Sequence, residues 1–331
     1  MSKSFDLVTI GDTATDVFIR LEEAHVNCRV DTARCEICMS FGDKIPYESA
    51  TVVAGVGNSA NAAVSGARLG LSTALVSDIG NDMYGKEVLA SLSENRVATD
   101  FVRTHEGRAT NYHYVLWYGA ERTILVKHEE YPYALPDIGE PRFVYLSSLG
   151  ANSVSYHREI TKYLLDHPRI KLAFQPGTFQ IKIGPSELRH LYKRTDIFFA
   201  NLEEAQTITN AKSKNPGLLL KAVSELGPKI VVLTDGPHGA YAYENGSMWS
   251  MPCYPDPKPP VERTGAGDAF ASSVVAALAL GKSLEEGFEW GMVNAMSVTQ
   301  HVGAQEGLLT QADIAALLKK APPSFILQKL L

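Results

Sequence analysis

The chain has 331 residues, 45% hydrophobic and 21% charged, with a formal net charge of −6 at pH 7. That length allows a large core and suggests two domains or one large α/β domain with an appendage. The mild acidic balance, without a basic run, argues against nucleic acid or an anionic membrane surface as partner, and no stretch has the roughly 18 uncharged apolar residues of a spanning helix.

The opening MSKSFDLVTIGD lacks the long apolar core of a secretory signal, and the four cysteines are too few for a disulfide scaffold, so a cytoplasmic protein with reduced thiols is expected. FDLVTIGD reads as a short buried strand ending at Gly11. From about Val17 to about Ala50 the residues are mixed polar with three cysteines and no helical period, and are expected to be extended strands outside the main core. TVVAGVGNSANAAVSGARLG then reads as an extended entry, a glycine turn and a small-residue helix. STALVSDIG is a strand, GKEVLASLSENRV an amphipathic helix, and RATNYHYVLWYGAERTILVKHEEY a hairpin with an aromatic face from Tyr112, Tyr114 and Trp117. From Phe143 strands alternate with helices through FVYLSSLG, SVSYHREITKYLLDH, IKLAFQPG, DIFFAN, LLLKAVSELG and KIVVLTDG, which predicts a parallel sheet covered on both faces. YAYENGSMWSMP is a hairpin turning at Asn-Gly, and YPDPKPP an irregular linker.

Two glycine clusters compete for a phosphate. GVGNSA matches the G-x-G-x-x-A dinucleotide fingerprint through Gly55, Gly57 and Ala60, with Asp78 about 20 residues on where a ribose-binding acid would stand. That pattern describes an NAD-binding dehydrogenase, or else a turn whose glycines only permit close packing. The second cluster, VERTGAGDAF, lacks the Gly-Lys-Ser/Thr of a P-loop. It places Gly265, Ala266 and Gly267 at the start of an apolar helix with Asp268 directly after them. Phosphoryl transfer to an alcohol needs N–H donors for the transferring group and a proton acceptor for the hydroxyl. Residues 265–267 offer the first and Asp268 the second; an Asp capping its own helix is the alternative.

These residues resemble the ribokinase-like (PfkB) sugar and nucleoside kinases. ERTGAGDAF is similar from Thr264 onward to the family signature Asp-Thr-x-Gly-Ala-Gly-Asp-x-Phe, and VGNSANAAVSGARLG to the signature Gly-Gly-x-x-x-Asn with its helix. GNDMYG, NLEEA and TDGPHGA resemble three shorter family motifs in the family's order. The resemblance implies an α/β fold, a ribokinase-like three-layer sandwich with a mostly parallel central sheet covered by helices. It implies one domain over residues 1–331, with residues 17–50 and 108–127 forming a small β-sheet lid that covers the substrate and makes a homodimer. The implied activity is ATP-dependent transfer of the γ-phosphate to a hydroxymethyl group of a small sugar or sugar-like molecule. The alternatives are a nucleoside (adenosine-type) kinase and a non-catalytic sugar or nucleotide sensor.

Carried over by position, Asp268 is implied as the base and the backbone of Gly265, Ala266 and Gly267 as the anion hole. Asp12, Asp16, Gly57, Asn58 and Asn61 are implied as acceptor-binding, Asn201, Thr234, Gly236 and Gly239 as nucleotide-binding, and Glu204 as acting on Mg²⁺ through water. The chain departs from the family pattern at Val56, in place of a glycine, at Asn58, where ribokinases proper carry Lys, and at Glu262-Arg263, in place of Asp-Thr. The last departure leaves K⁺ binding open, because in relatives that use a monovalent cation that Asp helps hold it. His25, Cys28, Cys35 and Cys38 have ligand types for zinc in a non-standard spacing; buried reduced thiols are expected instead.

Overall fold

In this computed structural model, which describes residues 4–29, 34–119 and 121–330, the strands sort into sheets of different character. The largest sheet runs, in spatial order, Gln328–Lys329, Ser247–Met251, Ala240–Glu244, Ile230–Thr234, Ile197–Asn201, Lys171–Phe174, Phe143–Leu146, Leu7–Ile10, Thr73–Gly80 and Val97–Ala98. Val102–His105 also pairs on Thr73–Gly80. From Ile230–Thr234 to Val97–Ala98 every pairing is parallel, and the three remaining strands add antiparallel. Ala240–Glu244 and Ser247–Met251 are joined by Asn245 and Gly246, at φ 48° and 85°, as a two-residue I′ turn requires.

The parallel strands are apolar on both faces because helices cover both. Leu7, Phe143, Tyr145, Ile197 and Phe199 enter one core with Phe270 and Val274 of helix Ala266–Ala279 and Phe288 of helix Leu284–Thr299. Their sequence neighbours Val8, Val144, Leu146, Phe198 and Ala200 enter the other, with Ile160 of helix Val154–Asp166, Leu191 of helix Arg189–Arg194 and Leu220 of helix Pro216–Ser224. Alternation between two buried faces makes such strands read as continuous apolar runs. A fully buried ring such as Phe198 is worth about 3–5 kcal/mol against Ala. This is the helix-covered, mostly parallel α/β sandwich expected from the sequence. Among the described residues no helix is long and apolar enough to cross a membrane.

Leu7–Ile10 lies between Phe143–Leu146 and Thr73–Gly80, so the strand order reverses direction there. The crevice outside the carboxyl ends of strands at such a reversal is where α/β sheets bind ligands. Here those ends lead into Asp12 and Ser148, and the Asp12 N–H donates to the Ser148 carbonyl at 2.8 Å. Gly11 permits this approach, since a Cβ on it would lie 2.8 Å from the same carbonyl oxygen.

A second sheet grows out of this crevice, in the order Glu121–Lys127, Asn111–Tyr118, Ala14–Leu21, Tyr47–Val56. Helix Met83–Glu94 fastens it, with the Ser91 hydroxyl donating to the Ala54 carbonyl at 2.8 Å and Tyr84 packed on Tyr112. Trp117 lies an odd number of residues from both Tyr112 and Tyr114, so it faces the other side of the sheet and the expected aromatic face is not continuous.

The remaining strands, His25–Arg29 and Arg34–Cys38, form a two-stranded ribbon with His25 opposite Cys38 and Cys28 opposite Cys35. Positions three apart along a strand face opposite sides, so these two pairs cannot converge on one zinc ion. Cys28 and Cys35 are instead joined in a disulfide. Their directly opposed positions, with Cα atoms 4.0 Å apart, overturn the expectation of reduced thiols at this pair. Cys38 and Cys253 are free thiols.

Candidate active site

Helix Ala266–Ala279 starts at Gly265, in the left-handed region at φ 77°, and has no side-chain cap. Asp268 in its first turn does not fold back on the helix, so the self-capping alternative falls. Its carboxylate accepts instead from Asn58 Nδ2 at 2.7 Å, Asn61 Nδ2 at 2.8 Å and Gln175 Nε2 at 3.2 Å. Asn58 and Asn61, three residues apart, share one face of helix Asn58–Arg68. Gln305 steadies Asn61 by donating to its Oδ1 at 3.0 Å and to the Gly55 carbonyl at 2.8 Å. The Tyr145 hydroxyl bonds Gln175 Oε1, which leaves the amide nitrogen for Asp268. Burial pushes the Asp268 carboxyl above its ordinary value, while the hydrogen bonds from Asn61, Asn58 and Gln175 and the charge of Arg122 pull it back. A buried carboxylate oriented by neutral amides, with raised proton affinity, is suited to accept a proton.

The glycines before Asp268 differ in purpose. A Cβ on Gly265 would lie 2.6 Å from Ala304 Cα, whereas a Cβ on Gly267 would meet nothing within 4 Å. Packing therefore requires Gly265, and the space beside Gly267 is open. That space is a cleft of about 680 Å³ lined by Ala266, Gly267, Asn201, Thr234, Gly236 and Arg263 among others. The volume lies within the range of about 300–1,000 Å³ usual for small-molecule sites. An uncapped helix start facing such a cleft offers backbone N–H groups to an anion. Gly239 does not line the cleft. At φ 96°, with a Cβ that would lie 3.0 Å from Pro252 Cα, it is required by the turn rather than by a ligand.

Asn201 and Glu204 cap helix Leu202–Thr209 reciprocally: the Glu204 N–H donates to Asn201 Oδ1 and the Asn201 N–H to Glu204 Oε2, each at 2.8 Å. Burial holds the Glu204 carboxyl above its usual value against the Asn201 hydrogen bond, and the charges of Asp268 and Glu203 push the same way as burial. Carboxylates that raise one another's proton affinity would also be stabilised by a divalent cation. Among the described residues no group of three His, Cys, Asp or Glu could hold a metal ion directly.

On the other side of Asp268, Asp12 is buried and occupied. His128 Nε2 lies 2.6 Å from its Oδ2, and the Tyr133 hydroxyl lies 3.0 and 2.8 Å from its two oxygens. Asp16 pairs with His113 Nδ1 at 3.1 Å. Gly57, at φ 114°, starts helix Asn58–Arg68 against the Asp12 backbone; a Cβ there would lie 2.7 Å from the Asp12 carbonyl oxygen. Gln175, Arg122, His113, His128 and Tyr133 are absent from the residues expected from sequence. Gln175 was within reach, because it directly follows a strand of the parallel sheet at its carboxyl end.

The dinucleotide reading fails on geometry. Gly55 lies within the strand Tyr47–Val56, which runs antiparallel to Ala14–Leu21 in the small sheet and is no part of the parallel one. Asp78 is buried inside strand Thr73–Gly80, with His105 at 2.6 Å and Arg103 at 2.8 Å both on its Oδ1. Upstream of Asp268, Glu262 is 3% exposed, with one oxygen accepting the Thr264 N–H at 2.7 Å and the other the Gly303 N–H at 2.9 Å.

A sequence model of the pfkB family carbohydrate kinases matches residues 7–311. The ribokinase of Bacillus subtilis (strain 168) is 28% identical over 272 residues, covering 79% of this chain and 87% of that one. The nucleoside kinase of Methanothermobacter thermautotrophicus is 26% identical over 321 residues, covering 93% and 94%. Among solved structures, that of Arabidopsis thaliana ribokinase complexed with ribose and ATP has a TM-score of 0.79 at 21% identity, over 96% of this chain and 99% of that one.

Proposed function

Because the chain belongs to the pfkB family carbohydrate kinases, we propose that it moves the γ-phosphate of ATP to a hydroxymethyl group of a small sugar or sugar-like acceptor. The observation that carries this reading is Asp268, buried and oriented by three amides at a helix start that opens onto a cleft. A nucleoside acceptor is the second reading, favoured by the nucleoside kinase relative that aligns over 93% of this chain. A sensor without catalysis would leave the orientation of Asp268 unexplained.

In this reading Asp268 takes the proton from the acceptor hydroxyl as its oxygen attacks the γ-phosphorus. The new P–O bond forms, the β–γ bridging bond breaks, and ADP leaves. The N–H groups of Gly265, Ala266 and Gly267 face the phosphoryl oxygens as charge spreads over them. Asn201, Thr234 and Gly236 hold the nucleotide in the cleft, and Glu204 is the residue that would hold Mg²⁺ through water, an ion that would supply neutralisation of phosphate charge. The segments 17–50 and 108–127 of a single domain act as the lid and exclude water as a competing acceptor. Glu262 ties its loop through two backbone N–H groups, and whether a monovalent cation such as K⁺ also binds there is read by comparing ADP release in K⁺ and in tetramethylammonium buffers.

The test is ADP release by purified protein with D-ribose, D-fructose, 5-dehydro-2-deoxygluconate, adenosine or cytidine. At least one acceptor should drive release in the wild type. Asp268→Asn should lower that rate about a thousandfold while ATP still raises the melting temperature. Near-normal turnover in the variant would overturn the role of Asp268, and no acceptor-dependent release by the wild type would overturn the kinase reading.

A further inference from the structure

Asp12 and Asp16 are each engaged by an imidazole, Asp12 through Oδ2 and Asp16 through Oδ1. Asp12, with its side chain 4% exposed, is taken by His128 and Tyr133. Asp16 faces His113 Nδ1. An ionised carboxylate only accepts hydrogen bonds, so Nδ1 of His113 carries a proton, and in the neutral imidazole Nε2 is left with a lone pair. That Nε2 atom is buried and has no hydrogen-bond partner among the described residues. Arg122 Nε, on the same sheet face, is buried without a partner as well, and such atoms are completed by water or by a ligand.

The placement of His113 says what the ligand is. Asp16 and His113 are register partners across adjacent strands of the small sheet. Through the pairs His113–Val126 and Trp117–Arg122, His113 shares its sheet face with Arg122, whose charge reaches Asp268. The imidazole of His128 lies nearly parallel to that of His113, with ring centroids 6.5 Å apart, and is itself packed on Phe179. A rigidly held neutral nitrogen accepts an O–H and gains nothing from a keto or ether oxygen in the same place.

We infer that His113 is an acceptor-binding residue whose Nε2 takes a hydrogen bond from an acceptor hydroxyl, and that Asp16 is a positioning residue that fixes the imidazole. The site thereby selects a polyhydroxylated acceptor with a free hydroxyl at that position over its deoxy or keto counterpart. This rests on the kinase reading above.

The experiment compares whichever of D-ribose, D-fructose, adenosine or cytidine the wild type phosphorylates with its monodeoxy analogues. At one position, losing the hydroxyl should lower wild-type kcat/KM by about a hundredfold or more, as when a buried polar group loses its partner. His113→Phe keeps the ring, and should show at most about a threefold loss at that position with the KM for ATP unchanged. His113→Gln keeps a hydrogen-bonding atom near the Nε2 position and should restore most of the hydroxyl preference. In the wild type, independently of any variant, adding that acceptor should shift the ¹⁵N resonance of His113 Nε2. Wild-type deoxy penalties retained by a folded His113→Phe enzyme would overturn the inference alone, as would an unmoved Nε2 resonance. Absence of ADP release by the wild type would overturn the kinase reading and this inference with it.

Discussion

Asp268 is placed to accept a proton at some expense to the fold. Its proton affinity is higher in the folded chain, so its charged form destabilises the native state as pH rises and that penalty disappears on acidification. If Asp268 is the base, as proposed, the sign for catalysis is opposite, because the free enzyme then needs the carboxylate and kcat/KM should fall as pH drops through the raised value. Asn61 is the foremost of the hydrogen bonds that hold that value down. Asn61→Ala should therefore move the acid limb of the kcat/KM profile to higher pH, whereas an unmoved limb would show that Asp268 does not set it. Asp268, Gly265, Ala266, Gly267, Asn58 and Asn61 were legible because each motif is local. Gln175, Arg122, His113, His128 and Tyr133 come to the site through tertiary pairing, which no short pattern records.

Among the elements, the start of helix Ala266–Ala279 separates two glycines that look alike in sequence. Gly265→Ala forces a left-handed residue against Ala304 and should lower stability by about 1–3 kcal/mol. Gly267→Ala occupies open space at a helical position and should leave stability equal or higher by about 0.5–1 kcal/mol. The same change should lower ATP affinity or kcat, because the methyl group enters the cleft. Thermal melts and ATP titrations of the two variants separate these outcomes. Local pattern misled where it could not tell which sheet a strand joins. Gly55–Ala60 reads like a dinucleotide turn, yet its strand lies in the small sheet. Helix Leu284–Thr299 carries little signal in the sequence because it is buried along most of its surface, which flattens the apolar period that would mark it.

At the scale of the whole molecule, the parallel sheet was legible because helix-covered strands are apolar without interruption. The outer face of the small sheet was not. Val52, Val17, Tyr114 and Leu125 form one register row across it, and Val52, Tyr114 and Leu125 are 56%, 45% and 51% exposed. Such a row is suited to a second copy of the chain, and we expect a homodimer there. Val52→Asp combined with Leu125→Asp should convert a dimer to a monomer in analytical ultracentrifugation; a monomeric wild type would overturn the interface. The loop at residues 303–305 has a different reach. Gly303 holds Glu262, Ala304 sets how close Gly265 comes, and Gln305 steadies Asn61. These three consecutive residues form one bearing shared by the proposed nucleotide and acceptor halves of the site. The small sheet can be remodelled for a new acceptor without touching that bearing, so the fold can change what it phosphorylates while keeping how it does so.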